Sequence, residues 1–167
     1  PGTVGGRRAF PPKANKDWSQ KINDKERKKA IRSALAATLD KKTVQSKGHI
    51  VPAQYPFIAS KEFETINKAK KLIEILTAQG FGKELERTSE RKIRAGKGKM
   101  RARKYQTKKG ILIVTSGECT LLKTANNIPG TDAVEIKKIN AQLLAPGKKP
   151  GRLTIFTEQA IEQIEKE

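Results

Sequence analysis

Lys108-Lys109-Gly110-Ile111-Leu112-Ile113-Val114 (KKGILIV, residues 108–114) holds the sharpest change of character in the chain. A long basic segment stops at Gly110, and an unbroken apolar run rich in β-branched residues begins. Such a run, lacking the polar alternation of a half-solvated strand, predicts a strand buried on both faces. Downstream, a short helix is expected at residues 121–126, a turn at Pro129-Gly130 and a strand at residues 133–136. Leu153-Thr154-Ile155-Phe156 repeats the rhythm, with Thr157 as the cap of a helix carrying Ala160, Ile161 and Ile164. Upstream, Pro56-Phe57-Ile58-Ala59 reads as a strand entering a helix. Ser60 is its expected cap, Phe63, Ile66, Ala69, Ile73 and Leu76 follow at helical spacing, and Gly80 closes it as a left-handed residue. This alternation predicts an α/β fold, a mainly parallel sheet with helices on both faces. No internal repeat is visible.

Before this body lies a different kind of sequence. Residues 1–21 carry Gly2, Gly5, Gly6, Pro11 and Pro12 without apolar periodicity, which predicts an extended arm unable to fold alone. Asn23 and Glu26 then form a capping-box pattern at the start of a helix. Ala30, Ile31, Ala34, Leu35 and Thr38 supply its expected buried stripe, and Lys25, Lys28, Lys29 and Arg32 supply a basic stripe facing away. The organisation expected is an arm, 1–21, and one α/β domain, 22–167, with an internal basic segment at 91–110. The chain opens on Pro1 rather than Met, and it is expected to be a piece of a longer protein.

The 167 residues carry 36 Lys and Arg against 17 Asp and Glu, a formal charge of +19. The surplus is localised. Residues 1–50 are +9 and residues 91–110 are +10, whereas 51–90 and 111–167 are each neutral. Charge needed only for solubility would be spread and mixed in sign; two concentrated blocks are the footprint of a polyanion binder. No window approaches the ~18 apolar residues of a membrane span, and the first ten residues lack the apolar core of a secretory signal.

Catalytic patterns fail one by one. Gly96-Lys97-Gly98-Lys99 lacks the spacing of a Walker loop, and Arg101 stands where a dinucleotide fingerprint requires its third glycine. His49 is the only histidine, so a two-histidine metal site cannot be assembled. It is expected to be a loop residue or an incidental RNA contact beside Lys47. Cys119, the single cysteine, reads as a small buried hydrophobe and suits a reducing compartment. Glu84, Glu86 and Glu90, interleaved with Lys83, Arg87 and Arg91, read as a solvated helix face. No catalytic residue, metal, cofactor or small-molecule substrate is expected.

The internal block is read as an RNA contact rather than a solvated run. Its cations are Lys92, Arg94, Lys97, Lys99, Arg101, Arg103, Lys104, Lys108 and Lys109. It is anchored by the strand that follows, and Gly96 and Gly98 permit close approach of a sugar-phosphate backbone. Met100 and Tyr105 interrupt the charges with groups that pack on sugars or stack on bases. The arm has the same mixture, with Arg7, Arg8, Lys13, Lys16 and Lys21 alternating with Phe10 and Trp18. Trp18 either stacks on a base or anchors the arm to the body.

Several separated motifs together resemble one family. Gly5-Gly6-Arg7-Arg8-Ala9-Phe10-Pro11-Pro12-Lys13, Lys25-Glu26-Arg27 running into Ile31-Arg32-Ser33-Ala34-Leu35-Ala36-Ala37-Thr38, and Arg94-Ala95-Gly96-Lys97-Gly98-Lys99-Met100-Arg101 are similar to the archaeal and eukaryotic type of large ribosomal subunit protein four. Leu143-Leu144-Ala145-Pro146-Gly147 and Pro150-Gly151-Arg152-Leu153-Thr154-Ile155 continue the resemblance to the end of the chain. It implies an early-assembling structural component of the cytoplasmic ribosome, bound to large-subunit ribosomal RNA and meeting neighbouring large-subunit proteins. It further implies a globular domain at the outer surface and a long loop reaching the polypeptide exit tunnel. Residues 1–21 would be the returning limb of that loop, with Arg7 and Arg8 nearest the tunnel, and residues 94–105 would clamp RNA beside the body. Family members carry a strand, a helix and the outgoing limb before the point where this sequence starts, so the first sheet strand is expected outside it. A competing reading is a regulatory protein that represses a messenger by binding its structured leader; a nucleotide-dependent enzyme is a third, disfavoured by the failed motifs.

Overall fold

The computed structural model describes residues 2–166; Pro1 of the expected arm and Glu167 of the expected domain lie outside the described residues. Residues 2–23 contain neither helix nor strand and are exposed throughout. Helix α1 (Asp24–Leu39) and helix α2 (Lys41–Ser46) lead to strand β1 (Phe57–Ala59), helix α3 (Ala69–Leu76) and helix α4 (Gly82–Ser89). Strands β2 (Arg91–Ile93) and β3 (Tyr105–Thr107) form an antiparallel ribbon separate from the main sheet. Strand β4 (Leu112–Thr115), helix α5 (Thr120–Asn126), strand β5 (Asp132–Glu135), helix α6 (Ala141–Leu144), strand β6 (Thr154–Thr157) and helix α7 (Glu158–Lys166) complete the chain. Among the described residues no helix is long and apolar enough to cross a membrane.

The main sheet has the order β1-β6-β4-β5, and every neighbouring pair is parallel. Its central register sets Leu112 opposite Thr154, Ile113 opposite Ile155 and Val114 opposite Phe156. Successive side chains leave opposite faces of a strand, so the apolar run at 111–114 divides between two cores. Ile111, Ile113 and Ile155 join Leu72 and Leu76 of α3, Phe81, and Leu121 and Ala125 of α5. Leu112, Val114 and Phe156 join Ala34 of α1, Leu144 of α6 and Ala160 of α7 on the other face. The expected α/β fold, a parallel sheet covered on both faces, is the fold found.

Several local expectations are corrected. The stripe of α1 is buried only from Ile31 onward; Ala30 and the preceding residues are exposed, because nothing covers the first two turns. Asn23 makes no side-chain cap, and its expected box with Glu26 does not form; at an exposed helix start the free N–H groups are open to solvent, which removes the need for a side-chain cap. The helix expected from Ser60 to Gly80 is broken. Phe63 and Ile66, three residues apart, are buried at a 3-10 turn over Lys61–Thr65, the period such a turn requires. Ile66 is then extended, and α3 starts afresh with Leu72 and Leu76 as its buried face and Ile73 exposed. Ser60 makes no side-chain cap. Gly80 does take φ +91°, but the chain turns there directly into α4. Thr157 behaves as expected, its hydroxyl accepting the Ala160 N–H at 3.4 Å.

Candidate nucleic-acid interface

The segment with the greatest charge excess is held out as a ribbon. Its two strands pair Arg91 with Thr107, Lys92 with Gln106 and Ile93 with Tyr105, and all six residues are exposed. Arg94 continues the pairing, its N–H donating to the Lys104 carbonyl at 2.8 Å. The tip closes through a 3-10 turn at Lys97–Met100, where both Arg101 N–H and Arg103 N–H donate to the Gly98 carbonyl. Gly96 sits at φ +78°, a conformation that an L side chain resists, with open space where a Cβ would stand. A Cβ on Gly98 would come within 3.3 Å of Arg94 Cδ. That glycine therefore lets the Arg94 stem lie across the tip, where its Nε donates to the Arg103 carbonyl at 3.3 Å.

The tip presents charge and apolar surface together. Met100 is 73% exposed, Tyr105 49% and Ile93 56%, and the Lys104 ammonium lies 5.4 Å from the Tyr105 ring centre. Ile93 faces Tyr105 across the ribbon, an apolar partner that the sequence reading missed. Lys108 and Lys109 are differently employed: Lys108 pairs with Glu90 at 3.0 Å and Lys109 with Asp132 at 2.8 Å. The first pair ties the two limbs of the ribbon together at its root, and the second ties that root to β5.

The other two basic groups occupy separate places. Lys25, Lys28, Lys29 and Arg32 are all exposed along α1. Helix α1 packs on the second core, whereas Leu85 of α4, the helix that leads into the ribbon, packs on the first. In the arm, Arg7, Arg8, Lys13, Lys16 and Lys21 are exposed. Trp18 is 72% exposed with Lys16 Nζ 4.5 Å above its ring, so it does not anchor the arm to the body. Among the described residues no hydrogen bond or ion pair joins arm, α1 stripe and ribbon to one another.

Two polar clusters escaped the sequence reading. Glu84 is not on a solvated face: it is fully buried. Arg87 donates to it twice, from Nε at 2.8 Å and Nη2 at 2.6 Å, and Ile50 N–H donates at 3.0 Å. Burial alone would raise its carboxyl, but these donors and His49 outweigh that and hold it down at about 2. An ionised carboxylate only accepts, so the buried His49, with Nδ1 at 2.7 Å, donates to it. His49, in the loop between α2 and β1 as expected, is thus a buried structural partner of Glu84. Arg152, also fully buried, donates to the carbonyls of Gly110 at 2.9 Å and Leu143 at 3.0 Å and to Asp132 at 2.6 Å. Nothing in local sequence distinguishes these charges from solvated ones; only their long-range partners do. Cys119 is partly buried against the first core, in keeping with its small-hydrophobe reading.

Open parallel sheets bind ligands beyond the carboxyl ends of their strands, where the strand order reverses. Here the chain runs outward from β4 to β5 and returns to β6 on the other side, so that crevice lies between β4 and β6. Glu64 fills it, accepting from Ser116 N–H at 3.0 Å, Ser116 Oγ at 2.9 Å and Thr157 Oγ1 at 2.6 Å.

A basic ribbon, a basic helix and a basic arm on a neutral α/β body can be set against known proteins. The sequence model of the ribosomal protein L4/L1 family matches residues 1–167. The chain belongs to that family. Among curated relatives of this L4/L1 family member, the large ribosomal subunit protein uL4 of Methanococcoides burtonii is 49% identical over 166 residues, covering 99% of this chain and 66% of the relative. The protein of the same name from Archaeoglobus fulgidus is 45% identical over 165 residues, covering 98% and 66%. That of Nanoarchaeum equitans is 48% identical over 162 residues, covering 96% and 60%. The chain thus spans a little under two thirds of the length of the relatives it matches.

Proposed function

We propose that the chain is a structural constituent of the large ribosomal subunit, binds large-subunit ribosomal RNA and carries out no catalysis. The ribbon at 91–107 is the observation that carries this reading. A two-stranded ribbon is marginal in water without a buried face, and this one buries none of its strand residues. Folded RNA supplies what it lacks: phosphates for Lys92, Arg94, Lys97, Lys99, Arg101, Arg103 and Lys104, and base or sugar faces for Met100 and Tyr105. The α1 stripe and the arm, equally uncovered, extend the same surface. In this reading residues 1–21 are an RNA-binding arm directed toward the exit tunnel, and residues 22–167 form one domain. The protein works in the ribosome in the cytoplasm, beside other large-subunit proteins. The names of its relatives support the assembly, and the crevice occupied by Glu64 supports the absence of a nucleotide-dependent step.

The test replaces Arg94, Lys97, Lys99 and Arg101 together by Ala. Circular dichroism should show an intact body, while affinity for large-subunit ribosomal RNA falls and the slope of log affinity against log salt drops by about 3, at ~0.7–0.9 per phosphate. Unchanged affinity with an unchanged slope sinks the reading.

A further inference from the structure

At the root of the ribbon lies a cavity of about 290 Å³ lined by Lys47, His49, Arg87, Lys109, Pro146 and Gly147. Four cations converge on this region, because Arg152 lines the adjoining cavity that shares Lys109, Pro146 and Gly147. Two carboxylates answer them: Glu84 takes Arg87, and Asp132 takes Lys109 and Arg152. Counting both, the region keeps a charge of +2 before any contribution from His49. Lys47 is the cation left over. None of the ion pairs among the described residues includes it, and its Nζ donates only to the neutral Lys149 carbonyl. Burial, and secondarily the nearby Arg152, bring its ammonium down to about 8 from 10.5. A desolvated cation facing a cavity with surplus positive charge is stabilised by an anion entering that cavity.

We propose that this cavity is a phosphate-group site, with Lys47 as its principal ligand and Lys109 and the outer edge of Arg87 as its walls. The inference deepens the RNA-binding reading and rests on it. The cavity adjoins the ribbon, since Arg87 precedes β2 and Lys109 follows β3. A backbone that tracks along Arg94 and Lys92 passes Glu90, whose carboxylate pairs with Lys108, before it arrives there. The exposed Lys148 and Lys149 follow Gly147 in the chain and extend the rim. Arg87, Lys148 and Lys149 lie outside the two basic blocks of the sequence, and Lys47, inside the first block, is not among the residues the sequence singles out as RNA contacts.

Two probes separate the sources of phosphate: inorganic phosphate, and a transcribed fragment of large-subunit ribosomal RNA, each titrated into the full chain and its Lys47→Gln variant. The Lys47 Cε methylene signal followed by NMR should titrate closer to 10.5 when inorganic phosphate is present. With the RNA fragment, Lys47→Gln should lower the salt slope by about 0.7 to 0.9, the loss of one phosphate contact, and leave circular dichroism unchanged. A response to inorganic phosphate without a change in RNA slope makes free phosphate the ligand. A Lys47 signal indifferent to both probes, with an unchanged RNA slope in the variant, overturns the proposal. The fourfold ribbon variant keeps the two ideas apart. If it loses RNA affinity while Lys47→Gln does not and phosphate has no effect, the site is wrong and the RNA reading stands. If neither variant changes RNA binding, the RNA reading itself has failed.

Discussion

Replacing Glu84 by Gln removes the charge at the centre of the most deeply buried ion cluster while nearly preserving shape. In the folded chain its carboxyl is held at about 2, against 4.5 for the free group. At ~1.4 kcal/mol per tenfold change in proton affinity, this corresponds to about 3 kcal/mol of stabilisation. The amide places an N–H₂ among Arg87, His49 and the Ile50 N–H, all of them donors, so donor faces donor. Loss of one partner from a buried pair costs ~3–5 kcal/mol in general, and about 3 kcal/mol is the expected deficit near neutral pH. The sign of the pH dependence follows from the lowered value. The stabilisation is fully present above 4.5 and is lost as pH falls from there through about 2. Urea unfolding of wild type and Glu84→Gln across this window should show a stability difference that is widest near neutrality and narrows on acidification. A gap below about 1 kcal/mol near neutrality, or a gap that does not narrow in acid, would refute the account of Glu84 as an ionised buried acceptor.

Arg152→Met should leave the carbonyls of Gly110 and Leu143 without their donor and cost about 3–5 kcal/mol; a scanning measurement should find the melting midpoint lower by roughly 10 °C, and an unchanged midpoint contradicts the buried-hub role. Gly130→Ala is expected to be far more damaging than Gly96→Ala. Both glycines have positive φ, but a Cβ at 130 meets Lys108 O at 2.6 Å and Thr88 Cβ at 2.7 Å, whereas one at 96 meets nothing. Left-handed strain alone costs ~1–2 kcal/mol, and denaturant midpoints should rank the two variants accordingly.

The main sheet was legible because burial on both faces leaves a local mark: an uninterrupted apolar run such as 111–114 has no solvent-facing alternative. The same holds for the location of positive charge, since ten cations without a single acid between residues 91 and 110 cannot be a neutral surface. Gly80 marked its own break, but the helix break at Ile66 was less legible. The apolar spacing there suits both a continuous helix and a 3-10 turn followed by a second helix, and packing against the first core chooses between them. The ribbon pairing was invisible for a related reason, as Ile93 and Tyr105 offer too little apolar pattern to announce a strand.

By itself, then, the sequence determined the α/β class, the two basic blocks and the absence of the usual nucleotide motifs, all properties written in the order of neighbouring residues. Tertiary structure alone decided which charges are free to meet a polyanion. Glu84, Asp132 and Arg152 are ordinary surface residues by composition, and become internal acceptors and donors only when chain segments tens of residues apart close around them. Ion pairing and desolvation depend on distance in space, and the Lys47 ammonium is brought down chiefly because the fold partly buries it and secondarily because Arg152 lies near it.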